Sequence, residues 1–101
     1  MQRRRQGSRG RFPIQPKIEG SPRSKRMEPQ PLGLKEPIYM DLAETEVLRL
    51  VDLEGLDQEE AGRSMGISRG TVWRLLSSAR KKTIQALYEA RPLVVGEAPP
   101  T

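Results

Sequence analysis

Residues 58–77 read QEEAGRSMGISRGTVWRLLS, and this stretch decides the fold. Asp57 precedes it as a helix cap, with Glu60 three residues on, the spacing of a capping box. Ala61 and Met65 stand on one side of the short helix that follows, and Gly66 ends it. Ile67 comes next, and Ser68 is the cap of another helix whose inner stripe runs through Val72, Leu76 and Ala79. Two helices that cross steeply need a small residue where their backbones approach, and Gly62 supplies it. Their turn needs a residue that accepts a left-handed conformation, and Gly66 does so at little steric cost. With Ala61, Met65, Ile67, Val72 and Leu75 facing inward, these requirements are met in order at the spacing of a helix-turn-helix. A helical hairpin without DNA binding is the bland alternative.

The same spacing defines an outward face. At about 100° per residue, Gly70, Arg74, Ser77 and Lys81 lie opposite the inner stripe, with Trp73 and Thr71 on the flanks. Arg69 occupies the first turn, where recognition helices approach base edges. Arg69 and Arg74 can each offer a bidentate fork to guanine or hold a phosphate. Gly70 leaves room for close backbone approach, and Ser68 and Thr71 can donate to phosphate at the positive end of the helix dipole. Gln58, Arg80, Lys81 and Lys82, together with Arg3, Arg4 and Arg5 of the tail, are the expected phosphate-backbone contacts. Trp73 has three open readings: a base-methyl or sugar contact, an anchor in a protein interface, or a ring folded back over Arg69 or the core edge.

Upstream, Asp41 and Glu44 form another capping-box pattern, and apolar residues from Leu42 to Leu53 predict a supporting helix over about 42–54, ended near Gly55. Downstream, the stripe continues through Ile84 and Leu87 to Ala90, where Arg91-Pro92 stops it, so the last helix spans about 69–90. Leu93, Val94 and Val95 then suggest a short extended segment over the bundle. The expected fold is all-α, a small three- to four-helix bundle over residues 38–95 with a flexible C-terminus at 96–101. Domains of that size are marginally stable, and dimerisation or DNA would add to their stability.

Residues 1–37 are expected to be a flexible, basic, Pro-rich tail. From Met1 to Arg26 there are nine basic residues against one acid, Glu19, while the rest of the chain is net acidic, so the overall charge of +5 comes from the tail. Clustered Lys and Arg release counterions on meeting phosphates, which points to a polyanion partner. A solubilising tail is the plainer reading. Within the body, Asp41 to Glu60 holds eight acids and one base, whereas Arg63 to Arg91 holds seven bases and one acid. Such a body would turn its last helix toward DNA.

The composition excludes much. There is no Cys and no His, so disulfides, Cys/His zinc sites and nucleophile–histidine dyads are ruled out. Neither a cofactor nor a metal is expected, and an enzyme is not. No apolar run approaches the roughly 20 residues needed to span a bilayer, and no secretory signal follows the basic N-terminus, so the expected location is the cytoplasm, with no membrane contact.

The residues also carry a resemblance. Leu53-Glu54-Gly55-Leu56, Gln58-Glu59-Glu60-Ala61 and Met65-Gly66-Ile67-Ser68-Arg69 resemble region four of bacterial sigma factors, as does Leu76-Ser77-Ser78-Ala79-Arg80-Lys81-Lys82. Leu48-Arg49-Leu50-Val51-Asp52-Leu53-Glu54-Gly55-Leu56 with Ala79-Arg80-Lys81-Lys82 is similar to an uncharacterised family of small archaeal and bacterial helix-turn-helix proteins. The resemblance implies a transcriptional regulator whose partner is double-stranded DNA. The transcription machinery and a homodimer are further options. The alternative function is a protein-interaction module that docks on that machinery with little or no specific DNA binding.

Overall fold

The computed structural model describes residues 15–34 and 36–96. Arg3, Arg4 and Arg5, expected on phosphates, and the C-terminus beyond Gly96 lie outside the described residues. In chain order the elements are β1 (Arg26–Met27), β2 (Ile38–Met40), α1 (Leu42–Leu48) running on as a π-helical stretch (Arg49–Leu53), α2 (Gln58–Met65), α3 (Arg69–Glu89) and β3 (Leu93–Val95).

The helices start where side chains cap them. Asp41 and Asp57 each accept from the backbone of a glutamate three residues on, Glu44 at 2.7 Å and Glu60 at 2.8 Å, and both glutamates return the bond to the cap backbone. Ser68 accepts from Thr71 N at 3.1 Å at the head of α3. Each bond satisfies one of the orphan donors of a first turn and is worth about 1 kcal/mol. Gly55 at φ 83° follows the π-helical stretch, Gly66 at φ 69° ends α2, and Ala90 at φ 52° ends α3 before Pro92.

An all-α bundle was the expectation, and it is overturned. The body is mixed, because β1, β2 and β3 form a three-stranded sheet in the order β1–β3–β2. β3 pairs antiparallel with β1, Arg26 opposite Val94, and parallel with β2, where Ile38, Tyr39 and Met40 meet Leu93, Val94 and Val95. Ile38, Met40 and Val94 are buried, so the sheet carries part of the core. Its strands are two or three residues long, too short for an alternating pattern to register in the sequence. The extended reading of Leu93–Val95 stands, now as the central strand.

The main core, Val47, Leu50, Ala61, Met65, Val72 and Leu76, lies where α1 and its π-helical continuation, α2 and α3 meet. In its described part the chain before β2, which belongs to the expected flexible tail, is hydrogen-bonded to this body. Lys17 N donates to Met65 O at 2.8 Å, and Glu19 N and Gly20 N donate to the Glu46 carboxylate. These partners are distant in sequence, and none is visible from composition. No helix among the described residues is long and apolar enough to cross a membrane.

Candidate nucleic-acid interface

Helices α2 and α3 meet across Gly66, Ile67 and Ser68. A Cβ on Gly62 would sit 2.8 Å from Ile67 O and 3.4 Å from Val72 Cγ2, so a side chain there would force the crossing apart. Gly66 needs its glycine for a different reason, its left-handed backbone, since a Cβ there would meet nothing within 4 Å. These two residues fix the angle at which the head of α3 leaves the body.

That head is open. Ser68, Arg69, Gly70, Trp73 and Arg74 are exposed, and Thr71 and Ser77 are half-buried. A Cβ on Gly70 would find only Ser68 Oγ, 4.0 Å away, so neither packing nor a positive φ calls for glycine there. Ser68 Oγ and Thr71 Oγ1 are 2.9 Å apart, and Arg74 donates to Thr71 Oγ1 at 3.3 Å, which orders the first turn around its hydroxyls. The Trp73 residue is 54% exposed, so it does not belong to the core. Gln58 opens α2 beside Asp57 and Glu59, in a cleft also lined by Val51 and Arg69. The acids make Gln58 a poor neighbour for phosphate.

The structure divides the cations of α3 in two. Arg80 forms a bidentate pair with Asp52, at 2.7 and 3.0 Å, and holds that carboxyl below its ordinary range. Lys82 donates to Glu44 Oε1 at 2.8 Å. Both were expected on phosphates, but the acid-rich α1 and its continuation pack against this part of α3 and engage them. Arg69, Arg74 and Lys81 of α3, like Arg63 of α2, take part in none of the ion pairs among the described residues.

Two acids that the sequence reading did not single out for burial lie inside. Glu44 is 4% exposed and Glu46 3%. Burial pushes the Glu44 carboxyl up, but hydrogen bonds from Lys82, Ser78 and Asp41 N, with the Lys82 charge, bring it below its ordinary value. Glu46 is also lowered, first by the Arg49 hydrogen bond, against burial, with help from Glu19 N, the Arg49 charge and Gly20 N. The capping-box spacing marked Glu44 as bonded to its own helix. No local signal marked its bond to α3 or the burial of Glu46.

The family described as "Protein of unknown function DUF134" matches residues 1–98. UPF0251 protein PH0803 of Pyrococcus horikoshii is 67% identical over 61 residues, 60% of this chain and 56% of the relative. UPF0251 protein TK0562 of Thermococcus kodakarensis is 64% identical over 61 residues, 60% of this chain and 54% of the relative. A UPF0251 protein of Archaeoglobus fulgidus is 44% identical over 78 residues, 77% of this chain and 74% of the relative. The chain thus spans little more than half the length of the first two relatives. No solved structure matches it.

Proposed function

The chain belongs to the DUF134 family of UPF0251 proteins, and from that premise we propose that it binds double-stranded DNA and regulates transcription. In this reading α2 and α3 are a helix-turn-helix related to sigma-factor region four, and the head of α3 enters the major groove. One observation carries the proposal: Arg80 and Lys82 are paired with Asp52 and Glu44, whereas Arg69 and Arg74 are exposed, outside every ion pair among the described residues, and flank a glycine that packing does not require. Arg69 and Arg74 read guanine edges or hold phosphates. Gly70 lets the backbone approach, and Ser68, Thr71 and Ser77 donate to the flanking phosphates. Lys81 and Arg63 extend the positive surface. Trp73 contacts a sugar or a thymine methyl.

The test is duplex binding by fluorescence anisotropy across a salt series, with Arg69→Ala, Arg74→Ala and Arg80→Ala. The first two should each weaken a selected site by about 1–3 kcal/mol without changing the fold. Arg80→Ala should leave the salt slope intact, because its charge is already paired. Unchanged affinity in both Arg69→Ala and Arg74→Ala would remove this face from recognition. It would favour a protein-interaction module that docks on the transcription machinery.

A further inference from the structure

Residues 15–25 form a strap that is held to the body by its backbone rather than by its side chains. Only Pro16 and Gly20 are half-buried in it, and the rest are exposed. An open cavity of about 470 Å³ lies between its Ile18 and Pro22 and the leucines Leu42, Leu48 and Leu53 of α1 and its continuation, so the strap does not pack into the core. It is nonetheless fastened. Glu46, 3% exposed, accepts from Glu19 N at 3.1 Å and Gly20 N at 3.2 Å. Arg49 Nε and Nη2 hold the same two oxygens at 3.0 and 2.9 Å. A Cβ on Gly20 would lie 2.7 Å from Glu46 Oε1 and collide with Arg49 Nε, so the clasp closes on a glycine. A buried carboxylate is costly unless its lone pairs are filled. Placing one beneath a strap that adds little to the core fixes where the strap runs.

The N-terminal end of the strap runs to the head of α3. Lys17 N donates to Met65 O at 2.8 Å, and Met65 ends α2 three residues before Ser68, the cap of α3. An extended chain limits that span to about 10 Å. Upstream, residues 1–14 include Arg3, Arg4, Arg5, Arg9 and Arg11 and no acid. We propose that the clasp of Glu46 on Gly20 delivers this segment as an arm to the DNA minor groove beside the site read by α3, where Arg9-Gly10-Arg11 makes the contact. The inference rests on the proposed function and adds a second groove to it. Its lengths agree. From Lys17 to Arg11 an extended chain covers about 20 Å. Half of a helical turn of about 34 Å, which takes a protein from the major groove to the next minor groove, is about 17 Å. The narrow minor groove of A·T pairs concentrates negative potential and draws in arginine. Gly10 sets two guanidinium groups around a residue with no side chain, which lets the backbone lie close to the groove floor. A tail acting by bulk charge alone would serve from any point on the body and would need no clasp.

The chain has no cysteine, so Ser8→Cys gives the full chain a single attachment point for an iron–EDTA group that cuts nearby DNA. On a duplex carrying the motif that the native chain selects, cuts are expected only in the minor groove next to each recognised site. Gly20→Val in the same chain should scatter the cuts while its helical circular dichroism is unchanged, since no core side chain is altered. Affinity for altered flanks is the second measurement. Replacing flanking A·T pairs by G·C adds an amino group to the minor-groove floor and should weaken binding about fivefold or more, whereas inosine·C pairs, which lack that group, should not. Arg9→Ala with Arg11→Ala should abolish this flank preference and keep the motif. Confined cuts that survive Gly20→Val overturn the role of the clasp. A selected motif with scattered cuts from the Ser8→Cys chain, or a flank preference indifferent to the arginine variant, overturns the arm and keeps the reading by α3. Equal weakening by G·C and inosine·C flanks moves the contact out of the minor groove and overturns the arm as well. Recovery of no motif removes the reading by α3 and the arm with it.

Discussion

Replacing Lys82 with Met separates a structural cation from a DNA-contacting one. Glu44 is buried with both oxygens bound, Oε1 by Asp41 N at 2.9 Å and Lys82 Nζ at 2.8 Å, and Oε2 by Ser78. Lys82→Met keeps most of the stem's packing but leaves a buried carboxylate short of one charged donor. A hydrogen bond to a charged group is worth about 1.5–3 kcal/mol, and the Lys82 side chain is one-third exposed, so water can enter and the low end applies, about 1.5 kcal/mol. For a domain of this size that lowers Tm by roughly 6–12 °C. Glu44→Ala should be worse, about 2–3 kcal/mol, because it also removes half of the capping box. The double variant should show a coupling of about 1 kcal/mol or more in a mutant cycle read by urea unfolding. Duplex binding by Lys82→Met should keep the parent's salt slope. An unchanged urea midpoint together with a slope reduced by about 1 would refute the reasoning and return Lys82 to the phosphates.

Other expectations concern the glycines and the acids. Gly70→Ala should raise stability by about 0.4–1 kcal/mol, because its Cβ has room and alanine is the better helix former, yet weaken duplex binding where the backbone approaches DNA; an affinity that does not fall speaks against that approach. Gly62→Ala should destabilise by about 1–3 kcal/mol in urea unfolding, since the new Cβ meets the Ile67 carbonyl, and a neutral result would show that the crossing can relax. The Glu44 and Glu46 carboxyls are held lower in the folded chain than in the unfolded one, so their contribution is complete above the ordinary glutamate value of about 4.3 and is lost as pH falls through their depressed values. Urea midpoints that do not fall from pH 5 to 2.5 would contradict this.

What the sequence disclosed was local. Asp41, Asp57 and Ser68 could be read as caps because a cap bonds to a backbone three residues ahead. Val72, Leu76 and Ala79 were legible as a stripe, and all three are buried. Ile84 and Leu87, read as its extension, are exposed instead, because at about 100° per residue they drift to one side of that stripe while the buried Ala86 falls on the other. The sheet was hidden because Ile38 and Leu93 meet across most of the body, from strands too short to show a period. Arg80 and Lys82 looked like free cations because their acids, Asp52 and Glu44, stand 28 and 38 residues away. Charge segregation between the two halves of the body was visible in the sequence, but its use in pairing α1 and its continuation with α3 was not.

The most direct test of the central claim is selection from random duplex DNA by the full chain at about 0.15 M salt, where non-specific binding is weak. The account predicts an enriched motif, retained by Arg80→Ala and lost or relaxed by Arg69→Ala and Arg74→Ala. Recovery of no motif, with only salt-sensitive background binding, would contradict it.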